Sequence, residues 1–157
     1  MKIIIPYGIR LNADGRIDVM PVVEARIGLE KRPQSFFGIF LIDSGATTTL
    51  LPATDAEALG LTLESGKRVT VRGVAGRPLI GYRHEVRLDI LGYMLDRVPV
   101  IFTKKRDAPR ILGREGFFSH FCIVFDERNR RIALLDSQTE QTAINPLFFI
   151  KGLPSVK

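Results

Sequence analysis

A single cysteine, Cys122, leaves the sequence no partner for an internal disulfide, and two histidines, His84 and His120, are too few for a Cys/His zinc site. Thiol chemistry built on a Cys–His pair is excluded as well, unless one of these histidines approaches Cys122. No apolar run reaches the roughly 20 residues of a membrane-spanning helix. The first ten residues hold only Ile3, Ile4 and Ile5 before Pro6, too short a run for a signal-peptide core. These absences give the expectation of a reducing, cytoplasmic setting, with no cofactor, no metal and no membrane partner. Acidic residues are also in deficit, 17 against 23 Lys and Arg, for a net charge of +6. The basic residues are scattered and form no stripe interleaved with aromatics, so a basic surface without a nucleic-acid partner is expected.

What remains is ordinary globular material: 157 residues, 45% hydrophobic and 25% charged, the size of one domain. Its apolar segments are short, rich in β-branched residues and cut by Gly, Pro, Asn and Asp, which predicts a mainly β protein. Lys2–Ile5 and Ile9–Leu11 precede the turn signal Asn12-Ala13-Asp14-Gly15. Ile17–Leu29 reads as a strand that Pro21 places at an edge or a bend. Phe36–Ile42 is a nearly unbroken apolar run and predicts a strand buried on both faces. Arg68–Arg72, Pro78–Tyr82, Glu85–Leu91 and Met94–Phe102 are further strands, and Phe121–Phe125 with Arg131–Leu135 predict a hairpin. One helix is expected at Thr54–Leu59, with Thr54 and Glu57 as a capping box and Gly60 as its left-handed stop. A second short helix is expected over Arg114–His120.

The chemically informative segment is Phe40-Leu41-Ile42-Asp43-Ser44-Gly45-Ala46-Thr47. An acid at the end of an apolar strand is costly unless hydrogen bonds or function compensate it. Gly45 lets the backbone approach the acid and turn its amide toward it, and Ser44 adds a hydroxyl that can fix a neighbouring loop. Alone, Asp-Ser-Gly is a weak match that an ordinary turn explains as well. The segments that follow arrive in a telling order: Thr48–Leu51, the helix at Thr54–Leu61, a glycine-bearing hairpin over Arg68–Tyr82, and Ile111-Leu112-Gly113-Arg114. In that order the chain, from about Phe36 to Leu135, resembles the retropepsin-like aspartic proteases, more the bacterial and cellular members than the viral ones. Where viral members carry acids after the Gly-Ala, this chain has Thr47 and Thr48, so Arg114 needs another partner.

The resemblance implies a retropepsin-like β-barrel with one or two short helices, acting as a symmetric dimer. Asp43 would be the catalytic acid, Ser44, Gly45, Ala46 and Thr47 its loop, and Gly73, Val74, Ala75 and Gly76 a flap over the substrate. Ile111, Leu112, Gly113 and Arg114 would support the loop from beneath. No second Asp-Ser-Gly or Asp-Thr-Gly occurs in the chain, so two acids at one site require Asp43 from each of two subunits. The activity implied is endopeptidase cleavage of a peptide or protein substrate. The expected organisation is one domain over 1–157 with its core at about 36–135. Pro146–Ile150, in the extension over 136–157, is an apolar candidate for the homodimer interface, with the Phe121–Leu135 hairpin as the other candidate. Two further readings stay open: a catalytically silent peptide-binding or dimerisation module of the same fold, and an unrelated nucleic-acid-binding barrel.

Overall fold

The computed structural model describes residues 1–72 and 78–148. The chain opens with β1 (Lys2–Pro6), β2 (Gly8–Leu11), β3 (Ile17–Met20), β4 (Val22–Leu29) and β5 (Arg32–Ile42). After a loop come β6 (Thr49–Leu51), the helix α1 (Ala53–Ala58), β7 (Lys67–Arg72), β8 (Pro78–Ile90) and β9 (Tyr93–Thr103). The remaining elements are β10 (Ile111–Leu112), β11 (Cys122–Asp126), β12 (Arg131–Leu135) and a second helix, α2 (Ser137–Ala143). Among the described residues no helix is long and apolar enough to cross a membrane.

Hydrogen bonding runs β4-β5-β10-β6-β9-β8 and returns through a β4–β8 pairing, which closes six strands into a barrel with β7 attached outside β8. Closure removes the free edges that an open sheet would leave. Alternation fills the barrel: Val23, Ala25 and Ile27 of β4 meet Phe40 and Ile42 of β5, Val86, Leu88 and Ile90 of β8, and Val98, Val100 and Phe102 of β9. A separate sheet, β1-β12-β11, brings the first strand against the hairpin near the far end of the chain, and its Ile5, Ile132 and Leu134 join the same core.

Several expectations need correction. β5 is not buried on both faces, because the barrel takes Phe40 and Ile42 inside and leaves Phe37 and Ile39 exposed. The long strand over Ile17–Leu29 is two strands, broken at Pro21, which has no N–H for a ladder. α1 has no capping box: Pro52 occupies the cap position, Thr54 lies inside the helix with its hydroxyl donating to the Arg106 carbonyl, and Glu57 pairs with Arg106. Gly60 does end the helix region at φ 65°. Arg114–His120 forms consecutive turns rather than a helix, with Gly116 at φ 85°. β8 spans both strand segments expected over Pro78–Leu91 because no turn residue separates them. Leu91 and Gly92, both at positive φ (51° and 88°), make the tight turn into β9.

Candidate active site

Asp43 is the first residue beyond β5, half-buried where the barrel wall ends. The loop it opens is fixed by β10, which lies between the strands on either side of that loop. Ile111 and Leu112 pair in parallel with Leu41 and Ile42, while Ile111 pairs antiparallel with Leu50. The Asp43 amide donates to the Leu112 carbonyl at 3.1 Å, so the backbone of the acid is registered by β10 itself. Gly45 donates its amide to Asp43 Oδ1 at 2.8 Å, as the glycine in this position suggested. The Ala46 amide turns back to the Asp43 carbonyl at 3.2 Å. Ser44 is exposed.

The second half of the loop is held from the opposite direction. Arg114 and Glu115 donate their amides to the carbonyls of Ala46 and Thr47, at 2.9 and 2.8 Å. Gly113 lies so close beneath that a Cβ there would sit 2.4 Å from the Thr48 carbonyl oxygen and 3.0 Å from that of Ala46. Its amide donates to the hydroxyl of fully buried Thr49 at 3.1 Å. The structure thus brings Asp43, Gly45, Ala46, Thr47, Leu112, Gly113 and Arg114 into one hydrogen-bonded unit. Gly73, Val74, Ala75 and Gly76 lie outside the described residues; β7 and β8 pair antiparallel up to Arg72 and Pro78, the residues that bracket them.

Three features escaped the sequence reading. Thr49 gave no signal beyond being one of three consecutive threonines. Arg83 of β8 donates twice to the carboxylate of Glu115, once at 3.0 Å, and this bond holds the Glu115 carboxyl below its ordinary range and the Arg83 guanidinium above its own. The acid that braces this region therefore follows Arg114 in sequence. Arg114 itself reaches the Thr47 hydroxyl at 3.4 Å, a weak bond. The third feature is an ion pair buried at its aspartate end, in which Arg110, just before β10, donates from Nε and Nη2 to the two oxygens of Asp55 on α1, both at 2.7 Å.

His84 places Nε2 2.9 Å from the Leu63 carbonyl and packs its edge on Phe102, which makes it a satisfied structural residue. His120 is exposed, and burial pushes the Cys122 thiol up, away from the reactive thiolate. Of the apolar interface candidate Pro146–Ile150, Pro146 and Leu147 are exposed, and Phe149 and Ile150 lie outside the described residues.

The aspartyl protease family profile matches residues 23–115, from the barrel's β4 through the segment under the loop. Among solved structures, a retropepsin-like aspartic protease from Rickettsia conorii superposes with a TM-score of 0.57 at 18% identity, covering 85% of this chain and 98% of that one. At that identity the likeness is one of fold. The EIAV protease, complexed with the inhibitor HBY-793, aligns at 19% identity over 60% of this chain and 82% of its own, with a TM-score of 0.46. No curated protein sequence matches the chain.

Proposed function

The chain belongs to the aspartyl protease family, and from that premise we propose that it is a homodimeric endopeptidase whose site is completed by Asp43 from two copies. The observation that carries this reading is the loop itself. A lone carboxylate stands at a barrel end, oriented by the Gly45 amide and locked from below by β10 and Gly113. Peptide hydrolysis that uses neither a metal ion nor a nucleophilic side chain needs one carboxylate to take a proton from water and another to give one to the carbonyl oxygen. Two carboxyl groups in contact do not both ionise, so a pair holds both forms at once, and the aspartic-protease dyad is itself the standard instance of that rule.

In the proposed reaction the ionised Asp43 takes a proton from water as the water oxygen bonds to the peptide carbonyl carbon. The protonated Asp43 of the other copy gives its proton to the carbonyl oxygen. Collapse of the tetrahedral adduct breaks the C–N bond as the Asp43 that took a proton from water passes it to the departing nitrogen and the other Asp43 recovers a proton from a hydroxyl of the adduct. Ala46, Thr47, Gly113 and Arg114 keep the loop in place, while Gly73–Gly76 serve as the flap that covers an extended peptide. The substrate is a peptide or protein segment.

The test is digestion of a peptide library by the wild-type protein and by Asp43→Asn, which keeps the shape and hydrogen bonding of Asp43 but cannot shuttle a proton. Cleavage should be lost while the fold remains, and specific activity of the wild type should rise with protein concentration until dimer saturates. Excess Asp43→Asn protein should suppress wild-type activity beyond dilution through mixed dimers. A variant that keeps a tenth or more of the activity, about 1.4 kcal/mol of barrier or less, removes Asp43 from the chemistry.

A further inference from the structure

Between β1 and the barrel the chain builds a two-stranded hairpin, β2–β3, which pairs with no other strand among the described residues. Its register places Ile9 opposite Val19 and Leu11 opposite Ile17. Side chains two apart on a strand share a face, so these four form one apolar face. All four are exposed: Ile9 76%, Leu11 70%, Ile17 63% and Val19 43%. The opposite face carries the polar pair, with Arg10 donating to Asp18 at 2.9 Å. Both faces are open to solvent, so the apolar one stands in water as fully as the one bearing the ion pair. An isolated hairpin is marginal in water, and a contiguous apolar face is an interaction surface.

Both stems of this hairpin are anchored. Buried Tyr7 donates its amide to the Arg130 carbonyl at 2.8 Å, and Gly8 is pressed so closely on Val22 that an added Cβ would lie 2.3 Å from its Cγ2. At the other stem the Ile42 amide donates to the Pro21 carbonyl at 2.8 Å. Ile42 immediately precedes Asp43, so the hairpin is rooted beside the candidate catalytic loop. Along its base runs a groove of about 760 Å³, with Ile4, Ile9, Met20, Ile39, Leu41 and Leu91 among its lining.

We propose that β2–β3 is a dimerisation arm, whose apolar face packs on a second copy of this chain next to the paired Asp43 loops. The inference rests on the reading of a site shared by two copies, and it names the surface that brings them together. Charge supports a second copy as the occupant. The chain is strongly basic, yet residues 8–20 are neutral, with Arg10 paired to Asp18 and Arg16 to Asp14. Two like copies meet here without repulsion, whereas nothing on the face selects a charged partner. A two-fold axis uses the same patch twice, which suits a compact apolar face with no net charge.

The test is Leu11→Lys with Ile17→Lys, both at exposed positions, examined by sedimentation equilibrium beside the wild type and an opposite-face control, Arg10→Ser with Asp18→Ser. The lysine variant should keep the wild-type far-UV spectrum and raise the dimer dissociation constant about a hundredfold or more, since charges would be buried at the interface. The control should stay within about threefold, well short of the tenfold that 1.4 kcal/mol represents. Should the variant misfold, amide exchange of residues 8–20 in the wild type decides: protection should increase with dimer fraction. Unchanged dimer affinity in a folded variant, or equal exchange in monomer and dimer, overturns the arm. So does a wild type that stays monomeric, or one that as a dimer still binds phosphatidylcholine vesicles through this face. A wild-type dimer with no Asp43-dependent cleavage refutes the catalytic reading instead, and sedimentation still judges the arm.

Discussion

Removing either end of the Asp55–Arg110 pair destabilises the protein, but by unequal amounts that the structure fixes in advance. Asp55, on α1, is 2% exposed, and both its oxygens are taken by one guanidinium at 2.7 Å. Arg110 is about one-third exposed, lies 5.6 Å above the Phe36 ring, and accepts the Leu41 amide on its carbonyl. The aspartate therefore has nowhere to go, while the arginine can turn part of its charge to water. Breaking a fully buried pair from one side costs about 3–5 kcal/mol. Arg110→Met strands a buried carboxylate and should cost that full amount. Asp55→Asn strands a group that rehydrates, so about 2 kcal/mol is expected, below the buried range. Urea unfolding at one fixed protein concentration measures both, with unchanged m-values as the check on two-state behaviour. The double variant should be more stable than Arg110→Met alone, because the stranded charge is gone. The reasoning is refuted if Asp55→Asn costs as much as Arg110→Met, or if both cost less than about 1 kcal/mol, the worth of an exposed pair.

Gly113→Ala places a Cβ against the Thr48 and Ala46 carbonyls, so it should cost about 2 kcal/mol or more in thermal unfolding and lose over nine-tenths of peptidase activity; wild-type behaviour would refute the close contact. Thr49→Val keeps the shape but leaves the buried Gly113 amide without an acceptor, for an expected cost of about 1–3 kcal/mol, and Thr49→Ser should restore most of it. The Arg83 bond lowers the Glu115 pKa, so the pair's contribution is present above the ordinary glutamate value and disappears as pH falls through the lowered one. Stability against pH should accordingly fall less steeply on the acid side in Glu115→Gln than in the wild type, and identical acid limbs would refute the pairing.

The parts of this molecule that the sequence disclosed are those dictated by local chemistry. Asp14-Gly15 turns the chain because glycine tolerates the φ of 81° found there, and the breaks at Pro21 and Gly92 follow likewise from single residues. The Asp43 loop and Ile111–Gly113 were legible as segments, although only the fold shows that one lies over the other. What was hidden depends on partners distant in sequence. The Thr54–Glu57 spacing satisfies a capping box, but Arg106, from the loop after β9, claims both side chains. Phe37 and Ile39 read as core because hydrophobicity alone does not say which face a barrel will enclose. α2 has no counterpart among the expected helices, yet Asp136 accepts the Thr139 amide at 2.9 Å, an N-cap visible in the spacing. Arg83 and Glu115 are 32 residues apart, and nothing local links them.

The insertion of β10 between the strands flanking the Asp43 loop has a temporal consequence. During synthesis Asp43 emerges long before Leu112, Gly113, Arg114 and Glu115, and until they arrive the amide of Asp43 and the carbonyls of Ala46 and Thr47 lack their partners. β1 waits longer still, since Lys2 pairs with Leu135. Contacts of such sequence separation form late and slowly. A ribosome-bound chain that stops before residue 111 thus carries Asp43 on a loop that still lacks the backbone hydrogen bonds holding it in the finished fold.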